Sequence, residues 1–227
     1  MAKMADVPSQ ILLSALAVAY AIIIVFATKK TFKMMKKRGV EDAAAVYYNR
    51  KIVKTVAGGI IALLIPYLFD SWIYPLGICI TLTFFTAVPH ARGKRMHYMQ
   101  TKENWNDTKF NLMCGASIAV LWELTNSPLI AIIPTLFMAF GDSVTGFVRN
   151  ALYKKRTKNP VGNIFMLMVC IPIGYYFTSI AMVPPLWGVV AAIIASLVER
   201  FEFGAVDDNV LITLSVTLIL IAGIYIG

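Results

Sequence analysis

Eight long apolar runs dominate the chain, at residues 9–28, 53–70, 72–89, 110–126, 129–148, 164–182, 185–199 and 209–226. Most approach the roughly 20 residues that an α-helix needs to cross a bilayer. They are too long for ordinary strands, and no two-residue alternation runs through them. The pattern predicts an all-α polytopic integral membrane protein with about eight transmembrane helices. Pro66, Pro134 and Pro172 fall inside runs and are expected kink points, since neighbouring helices can satisfy the carbonyls they free. No linker divides the chain and no internal repeat is visible, so residues 1–227 read as one transmembrane catalytic domain.

The polar connections alternate in character. One set is long and basic, at 29–54, 90–109, 149–160 and 199–209. The other is short and nearly uncharged, at 70–72, 126–128 and 182–185. Every Lys and Arg except Lys3 falls on the first side. An excess of cations marks the cytoplasmic face, so basic loops inside and both termini outside are expected. Residues 9–28 are followed, not preceded, by the charged run, the reverse of a cleaved leader; a retained first helix is expected. Residues 29–54 read as a basic amphipathic segment lying on an anionic leaflet.

Composition agrees with lipid as the main solvent. Hydrophobic residues make up 59% of the chain and charged ones 15%, against about 45–50% and 25% in soluble domains. Cys79, Cys114 and Cys170 sit inside apolar runs without CxxC or metal-ligand spacing, which argues against a disulfide framework or a zinc site.

Carboxylates are costly at membrane depth and mark functional positions by default. Asp142 ends an apolar stretch and, at about 1.5 Å per residue, lies roughly 20 Å into a helix that starts near Pro128. Glu199 closes the seventh run, and Asp207 and Asp208 open the eighth. The topology places all four at one level, together with Arg149, Lys154, Lys155, Arg156 and Lys158. Hard carboxylate oxygens beside cations suit Mg²⁺ and phosphate. Gly146 and Gly162 would let backbone amides approach phosphate. The plain alternative is a set of interfacial acids that simply pair with nearby Lys and Arg. The P-loop, protein-kinase, HExxH and GxSxG signatures are absent. His90 and His97 flank a basic loop and read as surface residues. Glu123 lies at the outer end of its run, away from the other acids.

Three segments resemble the CTP-dependent lipid-alcohol kinases, the family of dolichol kinase, phytol kinase and yeast-type diacylglycerol kinase. "RKIVKTVAGG" (50–59) supplies Arg50, Lys51 and Gly58. "GDSVTGFVRNALYKKRTKNPVGN" (141–163) supplies Gly141, Asp142, Lys158 and Gly162. "VERFEFGAVDDNVLITL" (198–214) supplies Glu199, Asp208 and Asn209. The chain departs from the family pattern at Lys54, where a His is usual, and at Thr145, where Ala is usual. Arg149 stands near a usual Gly, and Asn159 and Asn163 replace serines. The resemblance implies transfer of the γ-phosphoryl group of CTP to the hydroxyl of a polyprenol, phytol-like alcohol or diacylglycerol in the membrane. It assigns Asp142 and Asp208 to Mg²⁺, with Asn209 in support. Lys158, with Arg149 and Arg156, would hold the triphosphate, aided by Gly141, Gly162 and Asn163. Arg50, Lys51 and Lys54 would meet phosphate or the lipid head, and Glu199 or an aspartate would accept the alcohol proton. Expected partners are nucleotide, lipid alcohol and bilayer, without nucleic acid, and a homo-oligomer is compatible with the pattern. Two other functions compete: a CTP:lipid-phosphate cytidylyltransferase, which lacks its expected signature here, and a non-enzymatic transporter or structural membrane protein. Transporter sites tend to lie at the midplane, whereas these acids gather at one face.

Overall fold

A computed structural model describes residues 6–102, 105–153, 157–204 and 206–226. Among these residues it is helical, with no β-strand beyond an isolated bridge between Phe203 and Val206. The helices are α1 (Val7–Lys37), α2 (Asp42–Leu68), α3 (Ile73–Ala91), α4 (Asn106–Thr125), α5 (Pro128–Tyr153), α6 (Val161–Ile180), α7 (Pro185–Val198) and α8 (Asp208–Ile226). Six of them, α1, α2, α3, α5, α6 and α8, are long and apolar enough to cross a membrane. The other two expected runs, 110–126 and 185–199, are helical as well. α7 is apolar but has only 14 residues, and the first turns of α4 carry Asn106, Asp107, Lys109 and Asn111.

Local sequence explains the helix ends. α1 stops at Gly39, whose φ of 78° suits a residue without a Cβ. Gly39 N–H donates to Lys36 O at 3.0 Å and Val40 N–H to Met35 O at 3.1 Å, the paired bonds of a Schellman turn. Asn126, at φ 52°, closes α4. Ser127 caps α5 by accepting from Ile130 N, with Pro128 in the first helical turn. Asp207 caps α8 by accepting from Val210 N at 3.2 Å.

The turn at Gly39 divides the 29–54 stretch. Lys29, Lys30, Lys33, Lys36 and Lys37 lie exposed on the last turns of α1. Residues from Asp42 onward instead begin α2, and Ala45, Val46, Asn49 and Lys51 are buried. Asn49 anchors this entry. Its Nδ2 donates to Thr28 O at 2.8 Å and to Tyr98 O at 2.9 Å, and its Oδ1 accepts from Thr31 at 2.6 Å.

α5 is the central helix. In its most apolar 18 residues 83% are buried, against 17 to 39% in the other five candidate spans. A helix apolar all round belongs inside a bundle, and Ile130 to Ala139 are almost fully enclosed. α5 is also irregular. It is interrupted at Ile132, just before Pro134, and passes through a π-helical segment, Phe137–Gly141, immediately before Asp142. α2 contains a second π segment, Lys54–Gly59. The two meet where Thr55 Oγ1 donates to Ala139 O at 2.9 Å.

Contacts sort the connections to two ends of the bundle. The basic ones meet each other through Arg50 and Asp107, Asn49 and Tyr98, and Lys158 and Glu202. At the other end Trp72 Nε1 donates to Glu123 at 2.6 Å and Gln10 Nε2 to Leu68 O at 3.2 Å. Gly223 packs under Trp187 there, so the first turns of α1 and the last turns of α8 share the end with short connections.

α6 and α7 approach backbone to backbone at Gly174 and Gly188. A Cβ at either glycine would fall on the carbonyl of the other. Small residues allow such close approach where lipid offers no hydrophobic drive to helix pairing. Gly188→Leu is expected to lower stability by about 1–3 kcal/mol, as for overpacking elsewhere, and thermal unfolding in detergent measures it. A transition equal to wild type would show that this crossing is not close-packed.

Candidate functional site

Lys51 and Lys54, one turn apart on α2, share a face and converge on Asp142 of α5. Lys51 Nζ lies 2.6 Å from Asp142 Oδ1 and also donates to Asp142 O at 2.9 Å. Lys54 Nζ lies 3.0 Å from Asp142 Oδ2 and donates to Asn209 Oδ1 at 2.5 Å. The Asp142 side chain is 1% exposed, and the two lysine side chains are 6% and 4% exposed. Three charges at that depth persist only if each is paired, because removing an ion from water costs several kcal/mol.

A second cluster adjoins the first. Arg149 meets Glu199 in a two-pronged pair, Nη1 to Oε1 at 2.7 Å and Nη2 to Oε2 at 2.9 Å. Planar guanidinium favours this fork geometry. Arg149 also donates to Asn159 O and Asn163 Oδ1, each at 2.9 Å. Asn163 in turn donates to Ser196 O and to Glu199. Lys158 bridges Glu199 O at 2.6 Å, Asp208 Oδ2 at 3.1 Å and Glu202 Oε1 at 3.3 Å. Partial burial opposes the Lys158 charge, but Asp208, Glu199 and Glu202 outweigh it and raise its pKa above the ordinary lysine value.

The clusters join at a group of three carboxylates. One ligand oxygen each from Asp142, Glu199 and Asp208 lies within 4.8 Å of the others. Beside them opens a cleft of about 310 Å³ whose lining includes Arg50, Lys51, Lys54, Arg149, Lys158 and Asp208. Asn209 is fully buried, and its Nδ2 has no hydrogen-bond partner among the described residues. Such an arrangement is able to hold a divalent cation on hard oxygens and an anion on the surrounding cations.

Most residues singled out by sequence therefore meet in one place: Lys51, Lys54, Asp142, Arg149, Lys158, Asn163, Glu199, Asp208 and Asn209. Arg50 lines the same cleft, but its Nε faces Asp107 at 3.8 Å. Arg156, with Lys154 and Lys155, lies outside the described residues. The glycines make room for side chains. A Cβ at Gly162 would fall on the Arg149 guanidinium, one at Gly141 on Cys170 Sγ, and one at Gly146 on the Tyr47 hydroxyl. Gly162 and Gly146 thus admit a cation and a phenol, where sequence reading expected open backbone amides.

Sequence reading passed over several neighbours. Tyr47 lines the cleft, with Lys51 Nζ 5.3 Å from its ring centre, and Phe110 lies beneath Lys54 at 5.2 Å. Such cation–π contacts are favourable where water is excluded. The position of Tyr47 one turn before Lys51 was a usable signal. Phe110, distant in sequence, offered none. His90 stacks on Trp105 and His97 meets Phe32 edge-on, and neither lines the cleft.

Removing the Glu199 charge takes from the buried Arg149 guanidinium the carboxylate it forks. Glu199→Gln is expected to destabilise the protein by about 3–5 kcal/mol, whereas joint replacement of both by Met should recover much of that loss. A double-mutant cycle on thermal unfolding checks this; additive losses would show no coupling. Comparison with protein families, with curated proteins and with solved structures finds no match for this chain.

Proposed function

We propose that the chain is an integral membrane phosphotransferase that moves the γ-phosphoryl group of CTP to the hydroxyl of a membrane lipid alcohol. One observation carries this reading: Asp142, Glu199 and Asp208 gather within 4.8 Å, interleaved with cations, beside a cleft at one end of an apolar helix bundle. Lys51, Lys54, Arg149 and Lys158 face these three carboxylates. These cations suit the anionic complex of a triphosphate with one divalent ion. The choice of CTP and of a lipid alcohol comes from the resemblance of segments 50–59, 141–163 and 198–214 to the lipid-alcohol kinases. By the bias of cations, the basic end faces the cytoplasm and the eight helical segments cross with both termini outside.

The residues present fit Mg²⁺, which prefers a few carboxylate oxygens together with substrate phosphates. Asp142 and Asp208 would hold it, with the Asn209 amide alongside, and it would neutralise charge developing between the β- and γ-phosphates. Lys51 and Lys54 now lie against Asp142; in the loaded site they turn toward phosphate oxygens. Glu199 commits both oxygens to Arg149, so its role becomes positioning Arg149 and Lys158 rather than accepting a proton. In the reaction the lipid oxygen bonds to the γ-phosphorus and the bond to the β,γ-bridging oxygen breaks. CDP leaves, and the hydroxyl proton passes to an aspartate or to water. Positioning and electrostatic stabilisation supply the rate.

Asp208→Asn, at a partly exposed side chain, should lower transfer by about 10²–10³-fold with the thermal transition retained; near-wild-type turnover would remove Asp208 from the site. CTP labelled separately at the α and γ positions, with Mg²⁺ and long-chain alcohols in vesicles, tests the chemistry. Label entering lipid from the γ position is expected. Label from the α position on a lipid phosphate would instead mark a cytidylyltransferase.

A further inference from the structure

A second cavity lies directly behind the ionic cleft, and the two share Lys54. It is an apolar groove of about 70 Å³ between α1, α2, α3 and α4, also touching α5 at Thr135. Ala21 and Val25 form its α1 wall, Ala57 and Ile65 its α2 wall, and Ile118 the α4 side. At its charged end stand Lys54, Asp107 and Phe110. From Lys54 to Ile65 the groove runs about 16 Å along the helix at 1.5 Å per residue. Since about 10–15 Å³ of such volume admits one water, the space suits several groups in a row, as in a hydrocarbon chain.

We propose that this groove seats the hydrocarbon chain of the lipid acceptor, with its hydroxyl held at Lys54 and Asp107 next to the phosphate-binding cleft. The identification of the occupant as an acceptor rests on the kinase reading above. Three observations select a lipid chain. Three of the walls, α1, α2 and α3, belong to helices long and apolar enough to cross a membrane, where hydrocarbon is the ambient material. α1, which supplies Ala21 and Val25 to the groove, is the least buried candidate span, and its Leu16, Ile23 and Phe26 are exposed. And Lys54 lines both cavities, while Arg50 of the cleft faces Asp107 of the groove at 3.8 Å. An alcohol entering past α1 therefore meets the phosphate site hydroxyl first, with its chain in an apolar channel, so no polar group is left in hydrocarbon.

The test uses the full chain in nanodiscs with a long-chain alcohol carrying a diazirine near its hydroxyl, followed by mapping of the photolabelled peptides. Label is expected within residues 53–65 and 107–118, displaced by unlabelled long-chain alcohol but not by the alkane of equal length. Ala21→Trp should abolish that labelling, whereas Leu16→Trp, on the outward face of α1, should retain it. Label spread evenly over outward positions such as Ile23 and Phe84 overturns the proposal. So does unchanged labelling in a folded Ala21→Trp protein; if that variant fails to fold, Val25→Phe takes its place. Nucleotide chemistry is read separately. Groove labelling without γ-phosphoryl transfer removes the kinase reading and leaves an alcohol site. Transfer that persists at wild-type acceptor KM in Ala21→Trp retains the kinase and removes the groove.

Discussion

The arrangement depends on one buried carboxylate. Asp142 sits on the most enclosed helix of the bundle and is 1% exposed, and two ammonium groups meet it, compensating a charge that would be costly there alone. That requirement brings α2 against α5 at the level of Lys51 and Lys54. The backbone is irregular on both sides of this contact. π turns recur at functional positions in helices, and here one ends just before Asp142 and another begins at Lys54. Through Asn209, which accepts from Lys54, α8 is tied into the same cluster.

The second ionic group extends this logic outward. Arg149 lies two turns after Asp142 on α5 and draws in Glu199 from the end of α7 and Asn163 from the start of α6. Lys158 then joins Glu199 to Asp208. Four helix ends are thus bound by charge at the place where a cleft opens. The carboxylates are thus compensated by neighbouring cations.

Apolar and polar cavities meet at a thin boundary. On one side of Lys54 lie the carboxylates and the cleft; on the other lies an apolar groove walled by small residues of α1 and α2. A lysine over the Phe110 ring suits such a boundary, since its stem packs on apolar surface while its ammonium reaches polar partners.

Much of this was legible in the chain itself. Apolar run lengths determined the all-helical character, and the bias of Lys and Arg sorted the connections into two groups. Carboxylates at the ends of apolar runs marked Asp142, Glu199 and Asp208, because charge at that depth needs a reason. Tertiary structure alone decided which groups pair: Lys54 with Asn209 spans 155 positions and Lys51 with Asp142 spans 91. It also decided that α5 is central, that Gly39 turns half of the basic 29–54 stretch into a buried helix entry, and that Gly162 accommodates Arg149. Hydrophobic periodicity reports how one segment meets its solvent. Pairing and packing depend on the relative placement of segments, which no single segment encodes.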